Sequence, residues 1–169
     1  MRKILFPGVS RDVNGMRRFA AVVFAGLLLV ALAATKAEAT SPTPSGAATG
    51  PATVMTKTGP AGTYLVDGTG KSLYLFAIDT GGKSMCSGPC AQAWPPLTTN
   101  GQPKAGSGVT ASKLTTTTRS DMSKQVVYAG HPLYLFAGDK SAGATNGQGI
   151  NNFGGQWWLV SPAGTAITK

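Results

Sequence analysis

Beyond residue 39 the sequence contains no glutamate, one histidine and four aspartates. General acid–base catalysis needs positioned groups that titrate near the working pH, and this inventory leaves little to build it from. No Gly-x-Ser-x-Gly elbow and no phosphate-cradling glycine loop occurs. The case for an ordinary hydrolase goes with them, and the chain reads as a non-enzyme with no cofactor called for. Clustered positive charge is missing as well. The whole chain carries 15 Lys and Arg against 6 acids, a formal net charge of +9, but only nine of the basic residues follow Ala39 and they are scattered singly. A phosphate backbone is tracked by clustered cations, so nucleic-acid binding is excluded, while weak attraction to anionic polymers of the cell envelope fits. Cysteine occurs only at Cys86 and Cys90. None lies just past Ala39, where a lipid anchor would require one. Outside the first 39 residues no long stretch has a helical period and no apolar run could span a membrane.

The amino-terminal residues explain the address. A basic stretch ends in Arg17-Arg18, an apolar run follows from Phe19 to Ala34, and Ala37-Glu38-Ala39 supplies the small-x-small pattern of a cleavage site. Residues 1–39 therefore read as a secretory signal peptide, with Met16 as an alternative start and Arg17-Arg18-Phe19 faintly like a twin-arginine signal. The expected location is secreted, in the periplasm or outside the cell. Residues 40–62, rich in Thr, Ser, Pro, Ala and Gly, read as a flexible spacer.

The body, residues 63–169, is built on one heptapeptide written twice, Leu73-Tyr-Leu-Phe-Ala-Ile-Asp79 and Leu133-Tyr-Leu-Phe-Ala-Gly-Asp139. Each copy follows a strand-and-turn and precedes a glycine-rich loop and a tryptophan, so two halves, 63–112 and 113–169, share one order. In an extended chain Tyr74 and Phe76 share one face and Leu73, Leu75 and Ala77 the other. Both faces are apolar, which marks a strand covered on both sides. Asp67-Gly-Thr-Gly70 is turn chemistry, Pro89 and Pro95 bracket at most a turn or two of helix, and the Thr115–Thr118 run favours strand. The fold class is all-β: a small antiparallel sandwich or barrel from two related halves, with at most one short helical turn.

Candidate functional residues are few. Cys86 and Cys90, in an exported chain, read first as a structural disulfide that stabilises by about 2 kcal/mol. A redox dithiol is the sharper alternative, although the three-residue gap lacks the usual spacing. Asp79 and Asp139 end the heptapeptides at equivalent places. They read as caps of the following loops, with a weaker alternative as metal ligands or an acid–base pair. Tyr74, Tyr134, Phe76 and Phe136 read as core aromatics. Trp94, Trp157 and Trp158 are more open: adjacent strand residues face opposite ways, so an exposed one of these could stack on a sugar, although packing under a glycine-rich loop is the simpler fate. His131 reads as a solvated turn residue. Binding or structure in the envelope, with a polymer or glycan as partner, is the leading expectation; the alternatives are an extracellular redox, electron-transfer or metal-binding protein and a glycan-binding module that uses Trp94, Trp157 or Trp158.

These residues resemble a family of bacterial secreted proteins and predicted lipoproteins carrying a Tyr-x-(Phe/Trp/Tyr)-x-x-Asp repeat. The resemblance runs through Tyr74–Asp79, Tyr134–Asp139, Ser84-x-Cys86-x-Gly88-x-Cys90-Ala91-x-x-Trp94-Pro95-Pro96-Leu97, Ala105-Gly-x-Gly-Val109, Gly147-Gln-Gly149 and Gly154-Gly-x-Trp-Trp158. It implies a secreted address and a repeated fold unit, and no particular activity. The absent lipid-anchor cysteine departs from its lipoprotein members.

Overall fold

A computed structural model describes residues 49–168. The expected signal peptide lies outside the described residues. Within them nine short strands and two short helical turns follow one another. They are β1 (Thr53–Gly59), β2 (Gly62–Asp67), β3 (Tyr74–Phe76), α1 (Pro89–Ala93), β4 (Lys104–Ala105), a 3-10 turn (Ala111–Lys113), β5 (Leu114–Thr118), β6 (Lys124–Tyr128), β7 (His131–Pro132), β8 (Asn151–Asn152) and β9 (Gly155–Leu159). They form three three-stranded sheets, ordered β2-β1-β4, β3-β9-β8 and β5-β6-β7. All pairings are antiparallel except the two-residue pairing of β1 with β4. The described residues are all-β, and α1 is the lone α-helical turn among them, with Pro89 at its start and Pro95 just beyond its end.

One expectation is corrected. The spacer over 40–62 does not reach 62, because β1 occupies Thr53–Gly59 and pairs with β2 from Val54↔Asp67 to Gly59↔Gly62. Its sequence is mostly polar and only Val54 is buried. A mostly polar strand whose side chains are for the most part only partly buried has no apolar alternation to betray it; what holds it is the ladder and the β-branched residues Thr53, Val54, Thr56 and Thr58. As a result β2 forms its hairpin with β1. Its link to the heptapeptide is reduced to the Val66↔Ser72 bridge and the Leu73 N–H bond to the Leu65 carbonyl (3.0 Å). The expected turn is made by Asp67, whose Oδ1 accepts from the Thr69 and Lys71 amides (2.8 and 3.0 Å).

The two faces of the heptapeptide organise two cores. Leu73, Leu75 and Leu133 lie in an aliphatic cluster with Val54, Leu65, Leu97, Leu114, Val126 and Val160. Tyr74, Phe76 and Tyr134 lie in an aromatic cluster with Trp94, Trp157 and the two cysteines. Strand alternation thus sends alternate residues of one short segment into two different cores, which is why both of its faces had to be apolar.

The halves are exchanged at their closing strands. β3 pairs with β9, placing Tyr74 opposite Leu159, whereas Tyr134 bridges to Pro96. Each heptapeptide is therefore zipped to the tryptophan segment that follows the other. Matching bonds show the correspondence. Leu65 N–H donates to the Val160 carbonyl (2.8 Å) as Val126 N–H does to that of Leu97 (2.9 Å), and Ala77 N–H to that of Gln156 as Ala137 N–H to that of Ala93 (both 2.9 Å). At the centre the Tyr74 and Tyr134 amides each donate to the other's carbonyl at 2.9 Å.

Candidate functional site

The second consequence of that central bridge is a reciprocal pair of side-chain bonds. The Tyr74 hydroxyl donates to Asp139 Oδ2 and the Tyr134 hydroxyl to Asp79 Oδ2, both at 2.7 Å. The tyrosine of each repeat thus holds the aspartate of the other. Each carboxylate also caps its own loop, Asp79 Oδ1 accepting from the Met85 amide (2.7 Å) and Asp139 Oδ1 from the Asn146 amide (2.9 Å). The loop-cap reading of both aspartates holds, and each is engaged in its own crossed bond with a tyrosine. Among the described residues no group of three or more His, Cys, Asp or Glu comes together as a metal site would require.

Burial sets the electrostatics. The Tyr74 phenol is pushed far above its ordinary value by desolvation first and then by its bond to the Asp139 carboxylate. Tyr134 is pushed up too, again chiefly by desolvation. Asp79 is raised by desolvation, opposed by its bonds from Met85 and Tyr134. The two phenols are thereby held as neutral donors to their carboxylates.

Trp94 and Trp157 do not offer a sugar platform. Trp94 and Trp157 are fully buried and stacked on each other, with centroids 4.0 Å apart and planes 3° from parallel. Phe76 stacks on the outer face of Trp157 (4.0 Å, 8°) and Phe136 lies tilted against Trp94 (4.3 Å, 32°). Tyr74 and Tyr134 meet Trp94 and Trp157 edge-on at 5.4 and 5.1 Å. Of the two readings of Trp94 and Trp157 packing is the one observed: stacked inside the aromatic cluster, neither has a face free for a ligand. Packing under a glycine-rich loop is their fate, for a Cβ on Gly147 would stand 2.9 Å from ring atoms of both Trp94 and Tyr74. Trp158 faces the other way, as its neighbour's burial demands, and lies half-buried against the aliphatic core.

Cys86 and Cys90 form a disulfide, with Cα atoms 5.3 Å apart, and both are buried in the aromatic cluster. The bridge ties the 79–88 loop to α1. His131 is half-buried at the start of β7, opposite Tyr128.

The most active-looking residue went unnoticed in the sequence. Arg119, at the end of β5, is buried. Its Nη1 donates to Ser84 Oγ (2.8 Å) and Gln125 Oε1 (2.7 Å), and its Nη2 to the Cys86 carbonyl (2.7 Å). Ser84 Oγ also lies 2.7 Å from the Tyr134 oxygen, to which its hydroxyl can donate while the one phenol proton goes to Asp79, so Arg119 joins the Tyr134–Asp79 bond in one network. A signal existed: Arg119 is the only arginine after Arg18, in a region that otherwise uses lysine for every positive charge. Arginine is the cation suited to buried, forked recognition.

Together the exchanged strands, crossed Tyr–Asp bonds and central ring stack define a twofold-repeat β domain. A family model described as a secreted repeat of unknown function matches residues 55–98 and 115–161, one copy over each heptapeptide, and the chain belongs to that family. No curated protein and no solved structure matches the chain.

Proposed function

We propose that the protein is a secreted, non-enzymatic module of the cell envelope that works by binding an anionic envelope polymer, with no cofactor. One observation carries this reading: the residues most able to do chemistry, Tyr74, Asp139, Tyr134 and Asp79, are engaged in joining the two halves. What remains for function is the polar, lysine-bearing surface. Removal of a signal peptide ending at Ala39 would leave a chain whose two cysteines are already joined to each other. The test is co-sedimentation of the purified protein with cell-wall sacculi and their attached polymers. Retention that falls as salt rises supports the reading; recovery of all the protein in the supernatant at low salt overturns it.

A second reading, extracellular electron transfer, is favoured by the unbroken stack Phe136–Trp94–Trp157–Phe76 beside a buried disulfide. Film voltammetry of the protein purified without chelator, with metal analysis of the same sample, decides it. A reversible wave supports it, and a silent, metal-free film removes it.

A further inference from the structure

Register pairs of the two hairpins match position by position: Val54↔Asp67 answers Leu114↔Tyr128, and Thr58↔Thr63 answers Thr118↔Lys124. By that match Gly59 holds the place of Arg119 and Tyr64 the place of Gln125. In the first hairpin the Tyr64 ring closes over Gly59, where an added Cβ would come within 3.2 Å of it. The Tyr64 hydroxyl then reaches the Gly143 carbonyl in the loop after the second heptapeptide (3.3 Å). In the second hairpin the shorter Gln125 leaves room for Arg119, which reaches Ser84 and Cys86 in the loop after the first heptapeptide. Both hairpins clamp the opposite loop. A neutral phenol does this in one half, so clamping alone does not require the charge in the other. A buried charge is costly unless paired and hydrogen-bonded, and a clamp that can be neutral gains nothing from it.

The pairing of that charge is incomplete. Of five guanidinium N–H groups three are used, two on Nη1 and one on Nη2. The Nε–H is buried without an acceptor, and Asp121 Oδ2 stands off at 3.8 Å. The two donors left over, on Nε and Nη2, sit on adjacent nitrogens, as a two-oxygen acceptor requires. Arg119 forms part of the wall of a cleft of about 250 Å³ between the 83–87 loop and the 117–120 end of the hairpin. The cleft is also lined by Lys83 and by the hydroxyl residues Ser84, Ser87, Thr117 and Ser120. Lys83 is exposed and makes no salt bridge, the one between Arg119 and Asp121 being the sole ion pair among the described residues.

We infer that this cleft is an oxyanion site, in which Arg119 and Lys83 take a phosphate group, free or carried by a phosphodiester envelope polymer. The carboxylate of Asp121 acts there as a local competitor for Arg119. The inference deepens the binding reading above and rests on it for the polymer, whereas the cleft itself stands on its own geometry. The first half has no counterpart, since Gly59 and Tyr64 fill that place.

The test follows the Arg119 Nε–H resonance of the purified protein while inorganic phosphate is titrated at constant ionic strength. A saturable shift is expected, with affinity about three-fold weaker in Lys83→Gln and about three-fold tighter in Asp121→Asn, the sizes of partly exposed charge interactions. Both residues are exposed, so these variants keep their fold; Arg119→Lys, which also loses the clamp, is read only beside its thermal unfolding. No saturable shift, a shift that chloride reproduces, or identical affinities in wild type and Lys83→Gln would overturn the site. Competition by poly(glycerol phosphate) assigns the polymer as source; failure to compete assigns free phosphate, and either supports the site. If sacculi retain Lys83→Gln as well as wild type while its phosphate affinity falls as expected, the cleft is real but is not what holds the polymer. If phosphate binds the cleft and sacculi retain nothing, the envelope reading fails and the cleft stands.

Discussion

The loops that follow the two heptapeptides start alike and then diverge. In each, a turn after the phenylalanine closes with an amide bond back to its carbonyl, Asp79 to Phe76 and Asp139 to Phe136, both 3.0 Å. The first loop then takes a disulfide, a helical turn and the arginine clamp. The second has none of these; in it Gly147 lets the backbone rest on Trp94 and Tyr74. The aspartates differ accordingly: Asp139 is fully buried while Asp79 is half-buried. The indoles differ too. Trp157 Nε1 donates to the Asn152 carbonyl at 3.2 Å, whereas the buried Trp94 Nε1 has no hydrogen-bond partner. The comparison separates what the fold needs, namely the crossed bonds and the ring stack present in both halves, from what only one half carries.

The comparison can be broken most severely at the stack. Trp94→Ala and Trp157→Ala should each cost about 3–5 kcal/mol in urea unfolding. In the milder phenylalanine variants Trp157→Phe should cost about 1 kcal/mol more than Trp94→Phe, because only the first gives up a hydrogen bond. Equal costs would mean that the indole bond contributes nothing. Next, Tyr74→Phe should cost about 2 kcal/mol, since it strips an acceptor bond from the buried Asp139 carboxylate, and Tyr134→Phe about 1 kcal/mol, since Asp79 is nearer water. The reverse ranking would sink the assigned difference in burial.

Removing the bridge with Cys86→Ala and Cys90→Ala should cost about 2 kcal/mol. Amide exchange should quicken over 79–93 and stay unchanged over 139–150. The smallest effect at neutral pH is set by protons. Both tyrosines have folded values above the ordinary 10.0, so their contribution is complete below pH 10 and is lost as pH climbs beyond it, where the unfolded chain ionises first. Tyrosinate absorbance should therefore appear together with loss of near-ultraviolet dichroism. Tyrosinate that develops fully while the fold persists would contradict the buried hydroxyls.

Local chemistry was readable wherever neighbours in the chain decide the outcome. The alternation of Leu73, Tyr74, Leu75 and Phe76 named the two faces, Pro89 and Pro95 bounded the helical turn, and Asp67 marked its turn. Three features were not readable, each for its own reason. β1 is mostly polar and only Val54 of it is buried, so apolar pattern is silent there. The pairing of Tyr74 with Asp139 and of Tyr134 with Asp79 joins residues 65 and 55 positions apart, and a repeat read as two self-contained halves would pair each tyrosine with its own aspartate. Arg119 looked like one more surface cation, because only Gln125 in the facing strand, short where its counterpart is Tyr64, opens the space that admits it.

The exchange of the tryptophan segments governs how such a chain can be divided. A fragment with one heptapeptide would keep a tryptophan strand turned away from its own sheet and a heptapeptide with no closing neighbour. Two identical fragments could each complete the other, so a single-repeat chain would fold only as a pair, with a stability that rises with its concentration. Joining the copies in one polypeptide replaces that dependence on a partner with a fixed local concentration, and it frees the two loops, no longer bound to be identical, to take on different tasks.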